Sequence, residues 1–504
     1  MTTLKKPAAT AAGTDFPKMP LGSELEKKHD VFALGIEAVQ QPLPVDGSKA
    51  GFRQLQETEP IENMFSKADT RVFVRCRPIL SGEEDRVPCV THVPGYKESI
   101  LLTPKMNVAG QCSVQPYPLS VDATFGATDT NDMVHMYCSE LVELALAGGS
   151  SSLMCYGQTG SGKTYTSLGL LRNFAHQFEK VIVDGKHEVT VTFVELHHEG
   201  CRDLISGETN INICEVGSAI NLQHATESKL TSAQHLLDLT ETAVAARSTK
   251  ATARNEGSSR SHMVVRFYVK DIVTPWASPG ILCLADLAGS ESTGDSMAHD
   301  KARVIETKFI NSSLMTLKDC IRARGIAATS TKHVHIPYRR TPLTMIMKDS
   351  FELVVRRPTK TAVIACVSPL LTDVRHTANT LRYASLLYVS PKSRVVLEKD
   401  EKDPNNWDRP KALSEIAIMS RDRVKPEVIL PEGDGRALVM IPEAEFIKRA
   451  MTCGLGEKAA KDVYVRVWKL ICDSRTKTRT EMMKVRRDPL QTLPYQQDMD
   501  RLFA

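Results

Sequence analysis

The sequence predicts an α/β fold, in which a mostly parallel central sheet is covered by helices on both faces. Strand-like and helix-like segments alternate between about residues 70 and 391. A glycine-rich turn joins an apolar strand at residues 153–156 to a helix at 165–178. A second apolar strand, 281–285, ends directly before Asp286. These observations place a ligand site at the carboxyl ends of the strands.

The other elements of this domain are predicted from hydrophobic spacing and from turn residues. Residues 71–78 predict a strand that Pro78 closes, although its two arginines, Arg75 and Arg77, are also typical of a solvated edge strand. The remaining predicted helices span 132–147, 232–245 and 376–389, and the remaining predicted strands span 189–196, 263–272 and 361–367.

The chain divides into four predicted segments. Residues 1–69 are rich in Pro, Ala, Lys and Glu, so we expect a partly disordered N-terminal extension. Residues 70–391 form the α/β domain. Residues 392–429 are expected to be a linker, because an acidic and polar stretch is followed by recurrent prolines. Residues 430–504 predict a small helical region, and the sequence shows no sustained heptads that would indicate a coiled-coil stalk.

Composition limits the compartment and the partners. The chain has 504 residues, of which 42% are hydrophobic, and its formal net charge of +4 is too close to balance to indicate a partner. Its 12 cysteines form no C-x-x-C pair, which argues against zinc or a disulfide framework and favours a reducing compartment. No apolar run reaches the roughly 18 residues of a membrane span, so we expect a cytoplasmic protein without a membrane partner.

The glycine-rich turn matches the pattern G-x-x-x-x-G-K-[ST], with the strand before it and the helix after it that a phosphate-binding loop requires. Its glycines let the backbone turn tightly and aim N–H groups at phosphate oxygens. Lys163 adds a charge near the β and γ phosphates, and Thr164 is placed for Mg²⁺, with Asp286 acting from the neighbouring strand. The loop residues predicted to bind nucleotide are Gly157, Gln158, Thr159, Gly160, Ser161, Gly162, Lys163 and Thr164.

Further motifs follow this loop in an order typical of one family. Residues 255–262 read N-E-G-S-S-R-S-H, and residues 286–291 read D-L-A-G-S-E. Supporting stretches are R-C-R-P at 75–78, I-N-S-S-L at 310–314, H-I-P-Y-R at 335–339 and N-T-L-R-Y-A at 379–384. Together they resemble the kinesin motor domain over about residues 70–391, with 255–262 as its switch I and 286–291 as its switch II.

The resemblance implies a microtubule-stimulated ATP hydrolase with Mg²⁺ and ATP as its cofactors. Arg75, Arg77 and Pro78 would flank the adenine together with Tyr165, which takes a place often held by histidine in the family. On the phosphate side, Ser259 would join Thr164 on Mg²⁺, and Asp286 would act through water.

The resemblance also assigns residues to hydrolysis. Ser258 and the Gly289 amide would sense the γ-phosphate and orient the attacking water. Arg260 and Glu291 would form a salt bridge that closes only with triphosphate bound, and Glu291 would accept the proton of the water through a relay. Lys163 and Asp286 complete the predicted catalytic set.

Within the family, the chain most resembles the internal-motor kinesin-13 group, whose members depolymerise microtubules. An N-terminal extension precedes the motor, and K-D-C-I-R at 318–322 is similar to a stretch of that group's tubulin-facing helix. Lys318 and Arg322 lie four apart, on one helical face, and with Arg339 they are the predicted microtubule-binding residues. Two departures from the family pattern, Ser312 and the segment 340–342, point to an altered track-binding face.

Three functions therefore stay open. The first is a cytoskeletal motor that uses ATP to destabilise microtubule ends, the second is a translocating kinesin, and the third is a tubulin-binding scaffold that holds nucleotide with little turnover. Tubulin is the expected partner, and a homodimer or an accessory partner at either terminal region is left open. Basic residues of the tail lack the interleaved aromatics of a nucleic-acid site, so no nucleic acid is expected. They are Arg475, Lys477, Arg479, Lys484, Arg486 and Arg487.

Overall fold

The computed structural model describes residues 70–83, 88–92, 98–106, 112–216, 219–248, 260–274, 277, 279–290, 301–329, 334–352, 354–355, 357–389, 395–396 and 400–487. The predicted N-terminal extension, 1–69, lies outside these residues. No helix in the described ranges is both long enough and apolar enough to cross a bilayer.

The strands are numbered in chain order. They are β1 Thr70–Cys76, β2 Val90–His92, β3 Glu98–Met106, β4 Cys112–Ser120, β5 Ala123–Phe125, β6 Ser150–Tyr156, β7 His187–His197, β8 Gly200–Asp203, β9 Asn212–Val216, β10 Ala219–Gln223, β11 Ser228–Lys229, β12 His262–Asp271, β13 Gly280–Asp286, β14 Val354–Val355, β15 Thr359–Val367 and β16 Val395–Val396.

The α-helices are numbered in the same way. They are α1 Asn131–Met136, α2 Glu140–Leu146, α3 Lys163–Asp184, α4 Ala233–Ser248, α5 Lys301–Thr329, α6 Pro342–Ile346, α7 Lys348–Phe351, α8 Val374–Val389, α9 Arg409–Ser420, α10 Pro426–Ile429, α11 Gly435–Met440, α12 Glu443–Thr452 and α13 Glu457–Arg487.

A central sheet organises the large domain. Its strand order is β11-β7-β12-β13-β6-β15-β1-β5, with β8 paired to β7. Parallel pairing joins β13, β6, β15, β1 and β5, and antiparallel pairing joins the strands at the other end. The predicted α/β class is confirmed. The strand with Arg75 is not at the edge, because β1 lies between β15 and β5, and Arg77 follows the last residue of β1.

Helices cover both faces of this sheet, as its doubly buried strands require. On one face, Leu170, Phe174 and Phe178 of α3 pack with residues of α2 and α4. On the other face, Leu314 and Leu317 of α5 pack with residues of α8. The ends of β6 and β13 therefore lie between α3, which begins at the glycine-rich loop, and α5, on the opposite layer.

The C-terminal helices α9–α13 share a separate hydrophobic core, which includes Trp407, Ile416, Phe446 and Val467. This finding corrects the predicted linker, since α9 and α10 lie within 392–429. Two of the prolines that suggested a linker occupy helix starts: Pro410 lies in the first turn of α9, and Pro426 begins α10. Proline is tolerated there because the first turn has no intrahelical acceptor for its missing N–H.

Candidate nucleotide-binding site

The glycine-rich loop leaves the end of β6 and enters α3 at Lys163. Gly162 has a left-handed backbone, with φ of 92°, at the first position before the helix. A Cβ on Gly157 would lie 2.1 Å from the carbonyl oxygen of Cys366, so only glycine lets the loop pass this close to β15. The loop is thus held against two strands, with the N-terminus of a 22-residue helix behind it.

The interior of the loop is held by its own side chains. The Lys163 Nζ and the Ser161 Oγ both donate to the Gln158 carbonyl oxygen, each at 2.7 Å. Lys163 is 6% exposed, which keeps its charge inside the loop. A buried ammonium at this place favours an anionic ligand, as the sequence predicts.

Asp286, at the end of β13, is fully buried and faces the start of α3. Its Oδ2 accepts hydrogen bonds from the Thr164 Oγ1 and the Arg247 Nη1, both at 2.9 Å. Within the described residues, its Oδ1 is also buried and has no hydrogen-bond partner. A hydroxyl and a carboxylate with a spare acceptor suit a Mg²⁺ ion that keeps most of its waters.

Arg247, near the end of α4, is a site residue that the sequence analysis missed. Besides Asp286, its guanidinium donates to the Ser261 carbonyl oxygen at 2.7 Å and to the Ser261 Oγ at 3.3 Å. The same hydroxyl donates to Glu195 Oε1 at 2.6 Å, and Arg202 Nη2 donates to Glu195 Oε2 at 2.6 Å. No local sequence signal marks Arg247, because a lone arginine at a helix end is ordinary.

Arg75, which is predicted to flank the adenine, has a side chain committed to protein partners. It donates to the Asn131 Oδ1, to the Thr166 Oγ1 at 3.0 Å and to the Asp129 carbonyl oxygen at 3.1 Å. Its guanidinium carbon lies 5.4 Å from the centroid of the Tyr165 ring, which is 67% exposed. Arg75 therefore supports the tyrosine whose free face is available for stacking.

Arg77 forms a bidentate ion pair with Glu83, at 2.7 and 2.9 Å. Glu83 also accepts from the Leu80 backbone N–H at 3.0 Å, which closes the turn after β1. Pro78, within this turn, is exposed. The structure thus leaves Pro78 and Tyr165 as apolar surfaces for a base, and Arg77 shapes the turn that presents Pro78.

Of the predicted switch residues, Ser258, Ser259 and Glu291 lie outside the described residues. Gly289 is buried, and the neighbouring Ser290 N–H donates to the Gly157 carbonyl oxygen at 3.1 Å, which holds this segment against the glycine-rich loop. Arg260 forms a salt bridge of 3.0 Å with Glu306 of α5. The predicted pairing of Arg260 with Glu291 therefore stays a prediction.

The three predicted microtubule-binding residues do not share one environment. The Lys318 Nζ lies 3.8 Å from the centroid of the Tyr383 ring, beside an apolar cavity between the sheet, α5 and α8. Arg322 is exposed on α5. Arg339 is 62% exposed, and its Nη2 lies 2.6 Å from Glu215 Oε2 of β9. Lys318 lies on the aromatic face, whereas Arg322 is exposed, and their shared role in microtubule binding stays a prediction.

His262, the last residue of the predicted switch I motif, is completely buried. Its Nδ1 accepts the Ala288 backbone N–H at 3.0 Å, and its Nε2 lies 2.7 Å from the Ser313 Oγ. Burial, with the positive charges of Arg247 and Lys163, lowers the pKa of His262 from 6.5 to about 3. The imidazole is therefore neutral in the folded protein at neutral pH.

This depressed pKa predicts a loss of stability in mild acid. The unfolded chain binds a proton at this histidine below pH 6.5, whereas the folded chain does not until about pH 3. The free energy of unfolding should therefore fall by about 1.4 kcal/mol for each pH unit below 6.5. Urea unfolding at pH 7 and pH 5 measures this, and the wild type should lose about 2 kcal/mol more than His262→Gln does. An equal loss in both proteins would contradict the assignment.

The known proteins to which this chain is similar are kinesins. The kinesin motor domain model matches residues 75–388. Diatom spindle kinesin-1 of Cylindrotheca fusiformis is 34% identical over 320 residues, which cover 62% of this chain and 49% of that protein. The kinesin-like protein KIF24 of Homo sapiens is 32% identical over 344 residues, covering 65% of this chain and 24% of that protein. The kinesin-like protein KIN-13B of Arabidopsis thaliana is 32% identical over 346 residues, which cover 64% of this chain and 48% of that protein.

This chain thus spans about half the length of these relatives or less. One similar solved structure comes from a set of kinesin mutants described as revealing a signalling pathway for activation of the motor ATPase. It matches this chain with a TM-score of 0.52 and 27% sequence identity, and the match covers 63% of this chain and 98% of that one. A second is the KIF14 dimer in its two-heads-bound state, with AMP-PNP and in complex with a microtubule. It matches with a TM-score of 0.55 and 26% sequence identity, and the match covers 66% of this chain and 97% of that one.

Proposed function

Because the chain belongs to the kinesin motor domain family, we propose that it is a microtubule-dependent motor ATPase that uses ATP hydrolysis to destabilise microtubule ends. One observation carries the ATPase proposal. The glycine-rich loop, the Thr164–Asp286 contact and the segment 287–290 meet at the carboxyl ends of β6 and β13. The partner proposal draws support from the KIF14 relative, which was solved on a microtubule.

Each residue of the site has a proposed part in hydrolysis. Lys163 would exchange the Gln158 carbonyl for phosphate oxygens, and the loop N–H groups would hold the remaining charge. Thr164 and Ser259 would hold Mg²⁺, with Asp286 acting through water, and the ion would supply charge neutralisation for the phosphates. Arg247 would hold the Asp286 carboxylate in its orientation through their hydrogen bond.

Hydrolysis itself needs positioning more than a strong base. Ser258 and the Gly289 N–H would detect the terminal phosphate and orient the attacking water. Glu291 would then accept the proton of this water through a relay, in a salt bridge with Arg260. In the structure Arg260 pairs instead with Glu306, so this step would require Arg260 to change partner.

The depolymerising activity is proposed from the resemblance to the internal-motor group. KIN-13B, which is 32% identical to this chain over 346 residues, is among the relatives. A translocating kinesin is the second candidate, which one observation favours. After α8, the short strand β16 pairs in parallel with β14. Through this pairing of β16 with β14, the C-terminal helical unit would move together with the motor domain. In either case we propose a microtubule-associated, cytoplasmic location.

Two measurements test the proposed function. Phosphate release from ATP should rise when microtubules are added, whereas a scaffold that holds nucleotide without turnover would show no stimulation. Microscopy of stabilised microtubules with ATP then separates the two motor activities. Shrinking ends are expected for the depolymeriser, and directed movement with constant microtubule length would replace that proposal with the translocating one.

A further inference from the structure

The start of α1 lies directly against α3, close to the residues predicted to flank the base. Asn131 is the first residue of α1, and Gly169 lies within α3. A Cβ on Gly169 would lie 1.9 Å from the Asn131 Nδ2 and 2.2 Å from its Cγ. Glycine inside a helix is unfavourable relative to alanine, so the space that the Asn131 amide occupies gives the physical reason for a glycine here.

The Asn131 amide holds the guanidinium of Arg75. Its Oδ1 accepts from the Arg75 Nη1, which also donates to the Thr166 Oγ1 at 3.0 Å. The Arg75 Nη2 donates to the Asp129 carbonyl oxygen at 3.1 Å. The guanidinium is thus fixed by acceptors on α1, on α3 and on the turn that precedes α1. Arg75 is 7% exposed, so the loss of one acceptor would leave a donor with little water to replace it.

Arg75 in turn supports the Tyr165 ring. The guanidinium carbon lies 5.4 Å from the ring centroid, and Tyr165 is 67% exposed. A cation on one face attracts the ring and leaves the other face for stacking. An exposed ring without this support would have to lose more conformational freedom when it binds a base, which lowers affinity. The contacts from Gly169 through Asn131 and Arg75 therefore lead to the surface on which a base would stack.

We infer that Asn131 is a positioning residue for the base of the nucleotide: it fixes Arg75 beside Tyr165, so that the tyrosine ring is held in the orientation that stacks on the base. This inference rests on the proposed function, because it concerns the ATP site. Asn131 is not part of the phosphate-binding loop, whose interior is held by Lys163 and Ser161. Its removal therefore weakens the part of the affinity that depends on the base and leaves the part that depends on the phosphates.

Asn131→Ala tests the inference, because it removes the acceptor of Arg75 and keeps the backbone of α1. We expect the KM for ATP to rise by at least about fivefold, while kcat stays within about twofold of wild type. Tripolyphosphate with Mg²⁺ carries the phosphates without a base, so it should inhibit wild type and variant at the same concentration within about twofold. A general loosening of the site would weaken both ligands alike, whereas loss of the stacking surface weakens ATP alone.

Three further variants sharpen this test. Gly169→Ala should reproduce the rise in KM, because the added methyl group displaces the Asn131 amide. Asn131→Asp should restore most of the affinity for ATP, since a carboxylate oxygen also accepts from Arg75. Asn173→Ala is the matched control: the Asn173 Nδ2 donates to the Asn131 carbonyl oxygen at 3.4 Å and to the Asp132 Oδ1 at 3.0 Å, so it joins the same two helices without contacting Arg75. This control should keep the wild-type KM within about twofold, as expected for a contact that does not reach the ring. Thermal unfolding of each variant verifies that the protein is folded.

The outcomes separate the two proposals. A wild type that neither binds nor hydrolyses ATP would reject the proposed function. A wild type that hydrolyses ATP, together with folded Asn131→Ala and Gly169→Ala variants that keep its KM, would overturn the inference alone. An equal loss of affinity for ATP and for tripolyphosphate in Asn131→Ala would also overturn it, since this result would indicate damage to the phosphate-binding loop.

Discussion

Lys163→Ala is expected to lower the rate of ATP hydrolysis by at least about a hundredfold, because it removes the positive charge that the loop holds closest to the phosphates. In the structure Lys163 is buried, and its Nζ donates to the Gln158 carbonyl oxygen at 2.7 Å, which places the charge inside the loop. Steady-state phosphate release, with and without microtubules, measures the effect.

Lys180→Ala is the matched control for this prediction. Lys180 lies on the same helix, α3, but it is exposed and far along the helix from the loop. Its replacement should leave turnover unchanged within about twofold, as is usual for an exposed charge. Near-normal hydrolysis by folded Lys163→Ala would reject the assignment of this lysine.

Arg247→Met is expected to lower the free energy of unfolding by about 3–5 kcal/mol, because it leaves a buried carboxylate without its cation. Arg247 and Asp286 are 4% and 0% exposed, and the salt bridge between them is 2.9 Å long. The Ser261 carbonyl would lose a donor as well. Urea unfolding, followed by circular dichroism, measures the difference from wild type.

Adding Asp286→Asn to Arg247→Met should recover part of this loss, since the neutral amide is less costly to bury than an unpaired carboxylate. Arg172→Met is the surface control, because Arg172 is exposed on α3, and it should change the unfolding free energy by less than about 0.5 kcal/mol. An unfolding free energy for Arg247→Met close to that of this control would refute the buried ion pair.

The sequence predicted the fold through features that act locally. The strand, turn and helix around the glycine-rich loop are each specified by neighbouring residues, and the structure has α3 beginning at Lys163 as the motif requires. The match to the kinesin motor domain confirms the family resemblance. The apolar strand that ends at Asp286 is likewise predicted from its own residues as a buried strand, because a strand covered on both faces needs apolar residues on both.

The predicted linker shows where a local signal has two meanings. Recurrent prolines indicate loops when they interrupt a pattern, but Pro410 and Pro426 stand in helix first turns. Burial of Trp407 against the helices of the C-terminal unit decides between the two, and that burial depends on residues distant in the sequence. Composition alone could not distinguish the alternatives.

The sequence by itself determined the family, the phosphate-binding loop and the aspartate beside it, since these depend on residue types at short, fixed spacings. Only the tertiary structure decided that Arg247 holds Asp286, that Lys318 turns onto Tyr383, and that His262 connects Ala288 to Ser313. The physical reason is that a buried polar side chain must find its partner wherever the packed chain places one. Such partners lie 26 to 65 residues away in these cases, beyond the range of any local pattern.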